Sequence, residues 1–559
     1  MARKRVEIIE LDVQRLEELS RRAEARSFDD EDYRTIRHVV ESYGYLTSML
    51  GDKNTTIARL RKLLFGASTE KTAAVVGQAA PSCDATVVDT AAQQDSQSGA
   101  KSPPKKGPGR NGAEAYAGAE KIDVSHESFK SGDACPDCLE GTVYAMPPGV
   151  LVRILGQAPL GAKVYQLQKL RCNLCGEVYT APAPEGVGSE KYDATAASMI
   201  AVLKYGSGLP FNRVEGLQKN MEIPLPAATQ WEIIEDAAAL VAPAHDQLVR
   251  QAAQGELLQN DDTAVKILEL MGKRARKQAL QEVDTPKNKV GSQRTGLFTS
   301  GVVSTADGQR IALFFSGRQH AGENLQDVLR ERSPTLAAPI HMCDALSRNV
   351  PGELATIMAN CLAHARRNFV DVYERFPNEC RHVLEALKII YKNDAEARQQ
   401  KLSPEERLAL HQAQSRPVMD ELRDWLKKQF DDHLVEPNSP LGSAILYMLA
   451  HWDKLTLFLR QAGAPLDNNL CERVLKKAIL HRKNALFYKT QNGARVGDMY
   501  MSLIHTCELC GVGAFDYLTE LQRHAAEVAA KPADWMPWNY RETSRRQERP
   551  RDSPCQSAV

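Results

Sequence analysis

The stretch ELLQNDDTAVKILEL (256–270) marks a change of period in the chain. The segment before it repeats its apolar residues at helical spacing, whereas from here short apolar or alternating runs are separated by polar turns. Three more such runs follow: TGLFTSGVVS (295–304), QRIALFFSG (309–317) and APIHMCDA (338–345). Ala306-Asp307-Gly308 between the second and third suits a hairpin turn. A helix over Ala321–Arg332 precedes the fourth run. Three strands, a helix and a further strand describe a mixed α/β sheet.

Two aspartates in these strands have an unusual setting. Neighbouring side chains of a strand point to opposite faces, so Asp261 and Asp262 cannot both address one site. Parity groups Asp261 with Leu257, Gln259, Thr263 and Val265. Asp344 follows the apolar run Pro339–Cys343, and a carboxylate ending a buried strand is costly to desolvate unless it is paired or bound to metal. An ordinary turn aspartate is the competing reading at either position.

Outward from this block, 559 residues are too many for one ordinary core. A multidomain α+β chain is expected. Residues 1–71 read as helical, with Val39, Leu46 and Leu60 in one heptad series and Tyr43, Leu50, Ile57 and Leu64 in the other, a coiled-coil seam suited to self-association. Residues 72–120 form a disordered linker, clearest in SGAKSPPKKGPGRNG (99–113), which lacks the apolar residues to order itself. A cysteine-bearing module spans 121–188. Residues 189–255 return to helix. Val214, Leu217 and Met221 line one face there, and Trp231, Ile234, Ala238 and Val241 line another after Pro224 and Pro226, which leaves open a helix-turn-helix DNA reader or a plain packed pair. The α/β block extends over 256–500, interrupted by an all-helical insertion at about 376–460. A helical segment (501–540) and a disordered tail (541–559) complete the chain.

Charge and cysteine usage narrow the function classes. Lys and Arg total 71, Asp and Glu also 71, so the chain is no simple polycation that coats nucleic acid. Local basic patches can still meet a duplex. No run of 18 apolar residues and no signal-type stretch is seen, so a cytoplasmic, nucleoid-associated protein with no membrane partner is expected. Cys135-Pro-Asp-Cys138 and Cys172-Asn-Leu-Cys175 are matched pairs, and four thiolates so placed suit one structural Zn²⁺ in a closed tetrahedral site. VLVRIL (150–155) and AKVYQLQKL (162–170) between them read as the strands of a zinc ribbon. Cys507-Glu-Leu-Cys510, a lone pair in a helical pattern, reads as core packing.

Glu472 lies in LDNNLCER (466–473), at the start of a helix. Asn469 and Glu472 are spaced for a capping box, the competing role for this glutamate. Beyond it His481-Arg482-Lys483-Asn484 forms a basic cluster beside an apolar anchor, Leu486-Phe487. A second cluster is CLAHARRNF (361–369).

Together these segments resemble the transposases of the insertion sequence sixty-six family. The resemblance covers LRKLLFGASTEK, the two Cys-x-x-Cys pairs, KYGSGLPFNRVEGL, QNDDT, MCDALSRN, CLAHARRNF, LDNNLCERVLKKAILHRKNALF and MPWNY, nearly the whole chain. It implies an RNase-H-like catalytic core whose three carboxylates fall on Asp261, Asp344 and Glu472. Where the family usually has Asp-Glu-Thr this chain has Asp-Asp-Thr, so Asp262 stands where a supporting acid is expected.

Three carboxylates suit two Mg²⁺ or Mn²⁺ ions, which serve an in-line displacement on a phosphodiester. Arg366, Arg367, Arg473, Arg482 and Lys483 are candidates for DNA phosphates. The expected activity is metal-dependent strand cleavage and transfer at the ends of a bacterial mobile element. The expected partners are DNA, further copies of the chain and small accessory proteins of the same element. A zinc-containing DNA-binding regulator with an inactive core, or a nuclease that cuts without joining, is the alternative.

Overall fold

The computed structural model describes residues 21–22, 27–29, 32–38, 159–171, 178–185, 190–272, 296–352 and 354–548. The heptad series from Val39, the linker at 72–120 and all four cysteines of the zinc module lie outside them. Contacts divide the chain into two units, one made of residues 1–81, 190–214 and 227–559, the other of 82–189 and 215–226.

In the smaller unit, β1 (Lys169–Arg171) pairs antiparallel with β2 (Val178–Thr180). The strand expected over 162–170 is confined to its last two residues. Val164, Tyr165 and Leu167 are exposed, so the alternation before it buries no apolar face.

The larger unit holds a mixed five-stranded sheet. Its strands are β3 (Leu257–Ala264), β4 (Phe298–Ala306), β5 (Gln309–Gly317), β6 (Ile340–Cys343) and β7 (Ile357–Asn360), in the order β5-β4-β3-β6-β7. β4 runs antiparallel to β3 and β5, while β6 and β7 run parallel to β3. Asp307 and Gly308 both have positive φ, 48° and 77°, the two-residue turn that an Asp-Gly pair forms most readily. β7 is not announced by the sequence: Ile-Met-Ala-Asn is too short to show a period and becomes a strand by pairing with β6.

Helices cover both faces. Before the sheet come α1 (Ala194–Ala201), α2 (Phe211–Asn220), which passes into the smaller unit after residue 214, and α3 (Ala227–Ala253). Ile234, Ala238 and Val241 of α3 are buried as their spacing predicts. Its outer face presents Glu232, Glu235 and Asp236. α4 (Ala321–Leu329) lies on the same side of the sheet as α3: Asn324 donates to Ser300 at 2.8 Å, and Ser304 to the Ala252 carbonyl at 2.7 Å.

After β7, α5 (Leu362–Val372) leads into the insertion, α6 (Pro377–Gln399), α7 (Pro404–Leu410), α8 (Arg416–Asp431) and α9 (Pro440–Ala450). Leu384, Leu387, Met419, Leu422, Leu426, Ile445 and Met448 form its core, continuous with Met342, Ala359 and Phe369. Each such side chain contributes about 1.5–3 kcal/mol by leaving water.

α10 (Asn469–Ala485) crosses the face opposite α4, and α11 (Gln491–Leu509) closes the β5 edge. Asp498, Ser502 and Thr506, four apart, accept the amides of Ser316, Phe314 and Ala312 at 2.6, 3.0 and 3.1 Å. Four helical residues rise about 6 Å and two strand residues about 6.6–6.8 Å, so the two ladders match. An otherwise open sheet edge is thereby satisfied.

α11 runs through the expected boundary at residue 500. Gln522 of α12 (Ala514–Arg523) donates to Ser198 of α1, and Tyr500 to the Ile234 carbonyl of α3. The segments at 190–214, 227–255 and 501–540 therefore belong to the same compact unit as the sheet. The tail begins with a further helix, α13 (Tyr540–Glu548), where disorder from 541 is expected. Tyr540 Oη donates to Asp516 and Ser544 Oγ to Glu520, which anchor a segment too polar to look ordered by itself.

Candidate active site

The site is built from β3 outward. Asp261 pairs across β4 with Gly301, which faces Leu475 and Cys471 of α10. Cross-strand partners share a face, so Asp261 points to the α10 side. Gln259, two residues earlier, donates to the Asp467 carbonyl just before α10, and Thr263, two later, receives Arg482 from its last turn at 3.0 Å. Asp262 points the other way. Its carboxylate meets His320 Nδ1 at 2.8 Å and Arg348 at 3.4 Å, and its side chain is 2% exposed. The two adjacent acids are thus divided: one addresses α10, the other ties β3 to the start of α4 and the loop after β6.

β6 sets the second carboxylate. Gln259 is in register with Met342, and alternation past Cys343 brings Asp344 to the face of Met342, Gln259 and Asp261. Asn349 donates to Asp344 Oδ1 at 2.5 Å, and the Leu346 amide does so at 3.3 Å. Asn349 is itself held through its carbonyl, which accepts from Asn260 Nδ2 at 2.8 Å. His341 Nε2 lies 2.9 Å from Asn260 Oδ1, and burial pushes its pKa down to about 4, so a neutral imidazole completes the chain.

The third carboxylate arrives on α10. Asn468 anchors that helix to the sheet, its Nδ2 donating to the Asn260 carbonyl at 2.9 Å and its amide to Cys361 Sγ at 3.3 Å. Glu472 falls in the first turn. The capping box does not form: Asn468 is the N-cap, and Asn469 donates to Asp467 instead. Glu472 Oε1 is buried with no hydrogen-bond partner, 3.9 Å from His364 Nε2 of α5.

Burial, then the negative charges of Asp344, Asp262 and Glu472, raise the Asp261 carboxyl to about 6, against one opposing amide bond from Asp262. Among the described residues the three carboxylates do not form a ligand cluster within 4.8 Å as Cys361, His364 and Glu472 do, but the charges of Asp344 and Glu472 reach Asp261, and an acidic set with an unpaired Glu472 oxygen would suit hard divalent cations.

The basic candidates separate. Arg366 and Arg367 are partly buried on α5, while Arg473 and Lys483 are exposed on α10. Arg482 also donates to the Ala264 carbonyl, so its guanidinium braces the end of β3. His481 is not part of a basic surface. It stacks between Tyr205 and Tyr488, and burial together with Lys204 lowers its pKa to about 3. The expected apolar anchor after it is exposed, Leu486 by 62% and Phe487 by 44%.

Asn260, Asn349, Asn468, His320 and His364 were not singled out by sequence reasoning. All but His320 lie in the motifs quoted above; Asn260, Asn468, His320 and His364 meet partners far away in the chain, while Asn349 acts on Asp344 five residues before it. Among the described residues, no helix is long and apolar enough to cross a membrane.

Residues 191–496 match the family model described as "Transposase IS66 family". The chain is also 26% identical over 528 residues to "Uncharacterized protein y4jD" of Sinorhizobium fredii (strain NBRC 101917 / NGR234), covering 91% of this chain and 98% of that protein. It is 26% identical over 400 residues to "Uncharacterized protein y4hP" of the same strain, covering 67% and 68%.

Proposed function

Because the chain belongs to the IS66 family of transposases, we propose that it cuts and joins DNA strands at the ends of its own mobile element, using Asp261, Asp344 and Glu472. The observation that supports this reading is geometric: alternation along β3 and β6 puts Asp261 and Asp344 on the face that α10 covers, and Glu472 in the first turn of α10 has a buried oxygen without a partner. The sheet order β5-β4-β3-β6-β7, with β4 antiparallel to its neighbours, supports an RNase-H-like core.

Asp261, Asp344 and Glu472 would hold two Mg²⁺ or Mn²⁺ ions, which supply activation of the attacking water or 3′-hydroxyl and charge neutralisation at the leaving oxygen. The chain's own part is positional. Asn349 orients Asp344 and Asn468 seats α10 so that Glu472 reaches the face of Asp261. Arg473 and Lys483 on α10, with Arg366 and Arg367 on α5, are proposed to meet backbone phosphates. Cleavage and joining are the same displacement with different nucleophiles, so one site serves both. Two element ends call for at least two copies of the chain, and accessory proteins of the element remain proposed partners. Cys135, Cys138, Cys172 and Cys175 are proposed to hold one structural zinc, and the cytoplasm is the proposed site of action.

The test is Mg²⁺-dependent joining of a labelled element-end oligonucleotide to plasmid DNA. Wild type is expected to join; Asp261→Asn, Asp344→Asn and Glu472→Gln are expected to bind the oligonucleotide without cutting or joining it. Cutting without joining by the wild type would favour a nuclease. Binding by all four proteins with no reaction would favour a regulator.

A further inference from the structure

Three ligand-bearing side chains that the carboxylate chemistry does not use in full meet where α5 and α10 begin. Cys361 Sγ, a His364 ring nitrogen and a Glu472 carboxylate oxygen all lie within 4.8 Å of one another. The 3.9 Å between His364 Nε2 and Glu472 Oε1 is too long for a hydrogen bond. Glu472 Oε1 and His364 Nδ1 are both buried without a partner.

The backbone holds the trio from both sides. Leu362 N donates to the Leu466 carbonyl at 3.0 Å, which ties α5 to the turn before α10. The Asn468 amide donates to Cys361 Sγ, the kind of outer contact that orients a metal-bound thiolate. A tetrahedral ion with bonds of about 2.0–2.3 Å keeps its ligand atoms roughly 3.3–3.6 Å apart, so small side-chain rotations would close the set.

We propose that Cys361, His364 and Glu472 form a binding site for a borderline transition-metal ion such as Zn²⁺, sharing Glu472 with the carboxylate site. One sulfur, one nitrogen and one oxygen donor suit Zn²⁺ and not Mg²⁺, and three protein ligands leave a fourth position for water. Binding releases the Cys361 thiol proton to solvent and involves no change of oxidation state. An ion held here draws Glu472 away from Asp261 and Asp344, so it opposes the Mg²⁺-dependent reaction. That consequence rests on the transposase reading; the binding does not.

Co²⁺ is the probe, titrated into the full-length wild type, Cys361→Ser, His364→Gln and Glu472→Gln. Differences between wild type and variant cancel the chain's other thiols. The wild type is expected to bind one Co²⁺ more than Cys361→Ser or His364→Gln, with added thiolate-to-cobalt charge-transfer absorbance, and Glu472→Gln to bind that ion at least tenfold more weakly. Cys361 is buried and its variant can misfold, whereas His364 is partly exposed, so His364→Gln with an unchanged melting curve decides the matter. Equal stoichiometry and spectra in wild type and His364→Gln overturn the site, as does an extra ion without the charge-transfer absorbance. In the joining assay, His364→Gln should need at least tenfold more Zn²⁺ for inhibition than the wild type. A wild type that never joins strands with Mg²⁺ yet keeps the cobalt difference would sink the transposase reading and leave the metal site standing.

Discussion

Gly301 stands directly across from Asp261, and a methyl group there would lie 3.4 Å from Leu475 Cδ1 and 3.8 Å from Cys471 Sγ. The missing side chain lets α10 approach closely the face of the sheet on which Asp261 lies. Gly301→Ala should fit, with joining close to wild type. Gly301→Val overfills the contact and should cost about 1–3 kcal/mol while lifting the helix. The check is a melting curve beside the joining assay: a valine variant that joins normally would show that α10 does not depend on this approach.

Asp261 and Asp262 should separate cleanly in experiment. Asp262 is buried against His320 and Arg348, so Asp262→Ala strands an imidazole and should cost about 1–3 kcal/mol in stability. Asp262→Asn, which can still accept from His320, should keep measurable strand joining. Asp261→Asn removes a repelled buried charge and should melt no lower than wild type while losing activity. The reverse pattern would move the first ligand to Asp262.

Two adjacent cations on α10 make opposite predictions. Arg482→Ala loses bonds to Thr263 and the Ala264 carbonyl and should destabilise by about 0.5–1.5 kcal/mol. Lys483 is exposed, so Lys483→Ala should stay within about 0.5 kcal/mol of wild type yet weaken oligonucleotide binding and flatten its salt dependence. Chemical denaturation and binding at two salt concentrations would separate the two roles.

Asp498 supplies the pH prediction. Burial raises its carboxyl to about 7, partly offset by the bonds from Ser316. The folded protein thus holds this proton more tightly than the unfolded chain, whose aspartate titrates near 3.9. Its contribution is full below about pH 4 and is lost as pH rises through 7. Asp498→Asn can keep an acceptor for the Ser316 amide without a charge. It should melt above the wild type at pH 8, and that advantage should vanish by pH 4. A constant gap across that range would mean Asp498 is already ionised and paired.

The β5 edge can be tested one bond at a time. Ser502→Ala leaves the Phe314 amide buried without its acceptor and should cost about 1–3 kcal/mol. A second effect should be faster hydrogen exchange at Phe314, with Leu258 of the central strand unchanged.

What the sequence alone determined is what repeats locally. Strand alternation divides Asp261 from Asp262 because successive side chains leave a strand on opposite sides, and Asp307-Gly308 sets its turn because both residues tolerate positive φ. The helical insertion is legible for the same reason, since its apolar spacing is periodic over whole helices. Tertiary structure alone decided what depends on partners far away in the chain. Asn468 meets the Asn260 carbonyl across 208 positions and Cys361 across 107. The motif text at Glu472 fits a capping box or a ligand equally well until that docking leaves its oxygen unpaired. The same holds for β7, a strand only beside β6, and for Arg482 and His481, whose basic appearance gives way to a brace on β3 and a neutral ring between two tyrosines. Local pattern records which face a residue shares with its neighbours; the charge and partners it finds there arise only when distant elements pack and exclude water.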